Sequence, residues 1–492
     1  MRLSSSPSHQ PLRLLVFLHS ANIGGSERVS AQLIRELEAE YAVRCRVVVH
    51  EDGPLLEELE AFGVPTSIWP TTWWCSLDPL SPSLAQERLA HGAAEVLCRL
   101  PEIESFRPDA ILSVTTVIPW GALTAFLTGK PHFWYVTDFG GRAEYPLHYF
   151  LPFEEVRQAI MTSSREVFVV SEAVRNRLFP DALERPPVVA PHLEIPTSIQ
   201  RSTGTAPQPS QRRIRLGTFG NIRRTKGQWA AAQAVAALMV RGLDVELLLV
   251  GHEEPEGAEI RRLAEREGIA ERIEFLGVVD DQLEVMAGCD IVVVPSLEET
   301  FSLVCLEAQL MGKPVVASEV GGIAEFVLHD STGLTVPPGD PTAIADAVER
   351  LILEPALSER LVRRARQQAE NRFTMDAFSG RVRRLIESAK SDGGRPRQPS
   401  AAVVAPMRAM ASQLHRVVAE LDGESGLRQV ATAQAAALRM QLIAEQDRRR
   451  ELEETVRSQA AKFTHVANTR GWRLLQGWWR LAARFRRGHG GS

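Results

Sequence analysis

Two glutamates, Glu299 and Glu307, stand eight positions apart in the segment Pro295-Ser296-Leu297-Glu298-Glu299-Thr300-Phe301-Ser302-Leu303-Val304-Cys305-Leu306-Glu307-Ala308. The run before it, Asp290-Ile291-Val292-Val293-Val294, is short, β-branched and bounded by Asp and Pro, the pattern of a buried strand. Ser302 to Leu310 reads as the helix that follows. Both carboxylates therefore belong to a strand–loop–helix unit, at the carboxyl end of a strand, where open α/β sheets bind ligands. Glu307 falls mid-helix among Val304, Leu306, Ala308 and Leu310. A carboxylate in such company needs a partner, and a ligand hydroxyl would serve.

Two other glycine-bearing loops follow strand-like runs. Asn22-Ile23-Gly24-Gly25-Ser26-Glu27 follows the first apolar run and opens a helix. Glycines there let backbone approach a phosphate, and the helix start supplies N–H groups and positive potential. The bland alternative is a tight turn with Ser26 as the helix N-cap. The spacing is not G-x-G-x-x-G, so a dinucleotide is not signalled. Gly220-Asn221-Ile222-Arg223-Arg224-Thr225-Lys226-Gly227 also follows a strand-like run and brings three cations.

Taken in order, these blocks resemble the retaining glycosyltransferases of family 4, which have the GT-B fold. Glu299 and Glu307 match the family's E-x7-E pair, and Gly312-Lys313-Pro314-Val315-Val316-Ala317, Gly321-Gly322-Ile323-Ala324-Glu325 and Thr332-Gly333-Leu334 fit downstream. The resemblance covers about residues 12–390 and implies two Rossmann-like domains facing a cleft, the first holding the acceptor and the second the nucleotide sugar. It places Glu307 on the nucleotide ribose, Glu299 at the transferred sugar's anomeric centre, and Lys226 on the leaving diphosphate. Gly25, Gly220 and the amides of Ser302 and Leu303 would also meet the diphosphate. Asn221 stands where the family has arginine; either Arg223 or Arg224 replaces that cation or the site has one fewer. In His132-Phe133-Trp134-Tyr135-Val136-Thr137-Asp138 the family's reaction-centre histidine is Thr137 and its acid is Asp138. His132 lies too early in the strand to substitute. Asp138 reads equally as a catalytic cleft residue or a helix N-cap. Ser171-Glu172-Ala173-Val174-Arg175 matches the family's Ser-x-x-x-Arg segment, with helix capping by Ser171 the stronger reading.

The elements that must position these residues are legible as alternation. Strand-like runs at 13–19, 46–50, 110–114, 132–136 and 167–170 alternate with helix-like runs at 28–40 and 84–100. A second series follows at 214–219, 245–250, 272–275, 291–294 and 314–317. Alternation of this kind builds parallel sheets from βα units. The expected organisation is an acceptor domain over 1–197, a nucleotide-sugar domain over 198–390, a Ser/Gly/Pro/Arg linker over 391–406, and a helical extension over 407–492. Within the extension Gly423 and Gly426 interrupt the helical pattern and no heptad is sustained. After Glu454 there is no Asp or Glu. As a helix, residues 470–487 put Arg473, Arg480, Arg484 and Arg487 on one face and Leu474, Trp478, Leu481 and Phe485 on another. Such a segment suits an anionic bilayer surface or docks on protein.

The net charge of −5 over 492 residues gives no general basic footprint for nucleic acid. Five scattered cysteines without metal-ligand spacing argue for reduced thiols in the cytoplasm, peripheral to the membrane's inner face if the tail binds there. Leu12–Leu18 is too short for a signal h-region and no run reaches a membrane span. No Asp-x-Asp triplet occurs, and the resemblance implies no metal and no cofactor beyond a nucleoside diphosphate sugar as co-substrate. The expected activity is transfer of a sugar to a hydroxyl of a glycan or lipid-linked acceptor in surface glycan synthesis. Thr137 and Asn221 keep two rivals open: a nucleotide-sugar-binding or scaffold protein impaired in turnover, and an epimerase of the same fold.

Overall fold

Apolar, β-branched runs pair in parallel wherever both faces of the resulting sheet can be covered by helices. This chain does so twice. The computed structural model describes residues 11–141, 147–182, 185–196, 213–391, 403 and 405. The first sheet contains β1 (Leu12–Phe17), β2 (Val43–Val49), β3 (Thr66–Ile68), β5 (Ala110–Val114), β6 (His132–Val136) and β8 (Glu166–Val169), in the order β3-β2-β1-β5-β6-β8. Two short strands, β4 (Cys75–Ser76) and β7 (His148–Tyr149), pair antiparallel beside it. The second sheet contains β9 (Ile214–Phe219), β10 (Val245–Val250), β11 (Ile273–Gly277), β12 (Ile291–Val294), β13 (Val315–Ser318) and β14 (Leu334–Val336), in the order β11-β10-β9-β12-β13-β14. Register is parallel at β1–β5, Leu14 against Ala110, and at β9–β12, Ile291 against Leu216.

Each sheet thus runs outward from its first strand to one edge and then returns to fill the other side. The order reverses between β1 and β5, and again between β9 and β12. These are the two positions where loops diverge and leave a crevice at the carboxyl edge. The architecture is two Rossmann-like α/β domains.

The second sheet is buried beneath Ala230, Ala234, Val235 and Leu238 of the Gln228–Val240 helix and Ile344, Val348 and Leu351 of the Pro341–Leu353 helix. The first sheet has fully buried strands, and its histidine is part of the packing. His132 is 2% exposed, with Nε2 2.9 Å from the Ser113 hydroxyl and Nδ1 3.1 Å from that of Ser164. Burial lowers its pKa to about 3, so it stays neutral and structural.

Some local expectations differ in detail. The helix expected over 84–100 is two: Pro82–Cys98, capped by Ser81, and Leu100–Phe106. Among the described residues the chain divides into two compact units. The first holds residues up to Tyr135, those to Val167 beyond residue 146, and those from Arg383; the second holds the stretch from Val136 and Phe168–Val382. The domain boundaries expected at 197 and 391 meet stretches outside the described residues, as do the linker, the helical extension and the basic tail at 470–487. No helix among the described residues is long and apolar enough to cross a membrane.

Candidate active site

In the second unit the site is assembled by two loops that leave adjacent strands at the point of reversal. The first leaves β9 at Gly220, passes Asn221, and makes a 3-10 turn over Arg224–Lys226. Gln228 braces it from below, donating Nε2 to the Asn221 carbonyl at 3.0 Å. Gly227 ends the turn at φ +68°, and a Cβ there would lie 2.0 Å from the Pro295 carbonyl oxygen. Only glycine permits both the left-handed conformation and that approach. The second loop leaves β12 at Pro295, and the Leu297 amide donates to the Thr225 carbonyl at 2.9 Å.

This contact delivers Lys226 to Glu299. Nζ lies 2.5 Å from Oε2, although 73 residues separate the two in sequence. Ser296 Oγ lies 3.5 Å from the same carboxylate oxygen. Glu299 is 8% exposed, so its charge depends on such partners. Its backbone is held from behind: the Gly322 amide donates to the Glu299 carbonyl at 3.0 Å, and a Cβ on Gly321 would come within 1.9 Å of that oxygen. Phe301 anchors the loop's far end, its ring 5.0 Å from Phe326 and 5.5 Å from Phe373.

Ser302 turns the chain into the Leu303–Leu310 helix. It sits at φ +86°, unusual for a residue with a Cβ, while its hydroxyl accepts from the Cys305 amide at 3.3 Å. Serine here supplies a cap and bears strain that glycine would not. A Ser302→Gly variant is expected to melt at the same temperature or slightly higher. Relief of the positive φ is worth about 1–2 kcal/mol, against about 0.4–1 kcal/mol for the freedom glycine adds to the unfolded chain and a few tenths for exchanging a serine cap for glycine. A thermal melt lowered by more than about 4 °C would show that the hydroxyl does more than cap. Burial pushes the Cys305 thiol up to about 12, so it is no nucleophile.

One turn further on, Glu307 is 1% exposed. The partner its burial demands is in the protein: Gln282 Nε2 donates to Glu307 Oε2 at 2.9 Å. Gln282 opens the helix after β11, where Asp281 Oδ1 caps the Leu283 amide at 2.8 Å. Sequence reasoning missed Gln282, Ser296 and Gln228. Asp281 announces a helix start, but nothing local says which carboxylate the next side chain will meet.

Lys226, Glu299, Ser302, Leu303, Glu307 and Gly220 are thus gathered at one sheet edge. Arg223 is half-buried at the start of the 3-10 turn and Arg224 is exposed. In the first unit Gly25 is the exposed first residue of the Gly25–Glu40 helix. Ser26 is not its cap: Gly24 holds that position, and the Ser26 carbonyl instead accepts from the Ser30 hydroxyl at 2.8 Å. Glu27, one turn in, pairs with His19 Nε2 at 3.0 Å. Asp138 is not a helix cap either. Its Oδ1 accepts from the Gly140 amide at 2.7 Å, closing a turn in which Phe139 to Gly141 are not helical. Ser171 does cap the Glu172–Leu178 helix, accepting from Val174 N at 3.2 Å. Among the described residues no group of three or more His, Cys, Asp or Glu is placed to hold a metal ion.

Residues 213–354 match the sequence profile of the family described as glycosyl transferases group 1. The chain is 35% identical over 155 residues to the N-acetyl-alpha-D-glucosaminyl L-malate synthase of Bacillus anthracis, spanning 32% of this chain and 40% of the relative. It is 35% identical over 194 residues to a D-inositol 3-phosphate glycosyltransferase of Corynebacterium jeikeium, spanning 38% and 46%. It therefore covers less than half the length of these curated relatives. Among solved structures, Anabaena Alr3699/HepE in complex with UDP is similar over 77% of this chain and 100% of its own, with TM-score 0.61 and 21% identity. A glycosyltransferase from Rickettsia africae is similar over 77% and 99%, with TM-score 0.63 and 17% identity. The fold is therefore that of the GT-B glycosyltransferases, and the matched segment and named relatives support a transferase.

Proposed function

We propose that this chain is a retaining, metal-independent glycosyltransferase of family 4 that moves a sugar from a nucleoside diphosphate sugar to an acceptor hydroxyl in surface glycan synthesis. The observation that carries the reading is the Lys226–Glu299 pair at 2.5 Å, set at the strand-order reversal with Glu307 one helical stretch away. In this reading Lys226 neutralises charge growing on the leaving diphosphate, with the amides of Ser302 and Leu303 beside it. Glu299 faces the anomeric carbon, where positive charge develops as the sugar–phosphate bond breaks. The departing diphosphate takes the proton of the attacking hydroxyl on the same face of the sugar. Glu307 accepts from the ribose hydroxyls, with Gln282 holding one of its oxygens.

The UDP complex of the Anabaena neighbour is the reason to try a uridine donor first. Calorimetry with UDP-, GDP- and ADP-sugars, followed by mass analysis of products, tests the reading. One class should bind, with both glycosides and free nucleoside diphosphate forming on turnover. Binding without turnover would favour the scaffold reading, for which Thr137 at the end of β6 and the exposed Asn221 speak. A rearranged sugar on an intact nucleotide would indicate an epimerase. No binding by any class would refute the site.

The basic tail at 470–487, on this reading, brings the enzyme to a lipid-linked acceptor. Full-length chain is expected to float with anionic liposomes at low salt and to be released as salt rises, while a chain ending near residue 460 stays behind. Equal behaviour of the two would assign the tail to protein contacts.

A further inference from the structure

The Glu172–Leu178 helix contributes nothing to the donor machinery described above, yet within the second unit it meets the reaction loop at its end and the turn that backs that loop at its start. At its start the Ala173 amide donates to Glu325 Oε1 at 2.8 Å. Glu325 closes the Gly321–Glu325 turn, whose glycines press directly on the backbone of Glu299 and Thr300. Burial raises the Glu325 pKa while the helix-start amides of Ala173 and Glu172 oppose the shift, so its carboxylate is held against a desolvation cost. At the helix end Arg177 makes three contacts with one side chain. Nη1 is ion-paired with Glu298, the neighbour of Glu299. Nη2 donates to the Gly141 carbonyl at 3.3 Å, and the guanidinium lies 4.6 Å from the centre of the Phe139 ring.

Phe139 lies within the turn that Asp138 closes onto Gly140, and Gly141 directly follows it. One short helix therefore joins the Asp138 loop, which follows β6, to the Glu298–Thr300 loop, which follows β12. The chemistry of the three contacts requires arginine: a planar face for the ring and a fork of donors for carboxylate and carbonyl. Their placement is not accounted for by stability, because an ion pair with Arg177 45% exposed contributes little.

We propose that Arg177, seated through its helix on Glu325, is a positioning residue that holds the Asp138 loop and the Glu299 loop in register for sugar transfer. The proposal rests on the glycosyl-transfer reading for its chemistry, but not for its geometry.

The test uses the full chain with UDP-glucose as probe. Arg177→Ala should leave UDP affinity unchanged and lower the melting temperature by no more than about 3 °C. It should reduce the turnover number by about tenfold or more, as misplaced groups do. Arg177→Lys should recover part of the loss, and adding Glu298→Gln to Arg177→Ala should cost nothing further. Hydrogen exchange at the Gly140 and Gly141 amides should quicken in Arg177→Ala whether or not a substrate is turned over. Unchanged turnover in an active enzyme, a parallel fall of affinity and turnover, or unchanged exchange would each overturn the assignment. Failure of wild-type protein to bind or turn over any nucleotide sugar would remove the glycosyl-transfer reading, and the exchange measurement would still decide whether Arg177 joins the loops.

Discussion

Glu299→Gln is expected to bind UDP almost as well as wild-type protein and to turn UDP-glucose over about 10²–10³-fold more slowly, the scale of losing one preorganised charge at a transition state. The substitution keeps the shape and the contact with Lys226 Nζ, 2.5 Å away. On the glycosyl-transfer reading it removes a negative charge that matters most when the anomeric carbon becomes positive. Lys226→Ala should behave differently. It deletes the cation assigned to the diphosphate and leaves Glu299, 8% exposed, with an uncompensated charge. Donor affinity should then fall by about 1–3 kcal/mol, and Glu307→Ala should cost a similar amount through the ribose. Steady-state kinetics beside calorimetry separates the two effects. Glu299→Gln with undiminished turnover, or Lys226→Ala and Glu307→Ala with undiminished affinity, would mean that this edge of the sheet is not the donor site.

The second large effect is on folding. Gly227→Ala should destabilise the second unit by about 2–4 kcal/mol, about 1–2 kcal/mol from the left-handed conformation and the rest from displaced backbone. The new methyl would stand 2.0 Å from the Pro295 carbonyl, and no flexible side chain is available to give way. Gly242→Ala is the matched control: φ is +83°, but no atom lies within 4 Å of the added carbon. It should lose only the conformational part. Urea unfolding of the three proteins decides the matter. If Gly227→Ala costs no more than Gly242→Ala, the two site loops do not approach as closely as described. A large excess would show that the Lys226 loop is placed by backbone fit and not by its charges.

The amino-acid sequence by itself determined ten of the fourteen strands among the described residues, all but the short β3, β4, β7 and β14, and the family resemblance of the loops between them. Ala110–Val114, His132–Val136, Ile214–Phe219, Val245–Val250 and Ile291–Val294 occupy the bounds their apolar runs suggest. Strands buried on both faces leave a continuous apolar signature that ends where the chain meets solvent. The loops carrying Lys226 and Glu299 follow such strands directly, and the helix carrying Glu307 follows the second of them, so their place at a carboxyl edge was also local information. What the sequence could not decide is who meets whom. Lys226 reaches Glu299 because β9 and β12 are neighbours, and that adjacency arises from the reversal of strand order, which no local pattern encodes. A ligand hydroxyl is one partner the burial of Glu307 calls for; that Gln282, 25 residues away, takes one of its oxygens is not legible in the sequence. Ser26 and Asp138 carry good capping side chains, but the bends around them turned one into a helix interior residue and the other into a turn. Burial pattern is a property of neighbouring residues, whereas the pairing of buried charges is set only when separate strands and their loops are brought to one edge.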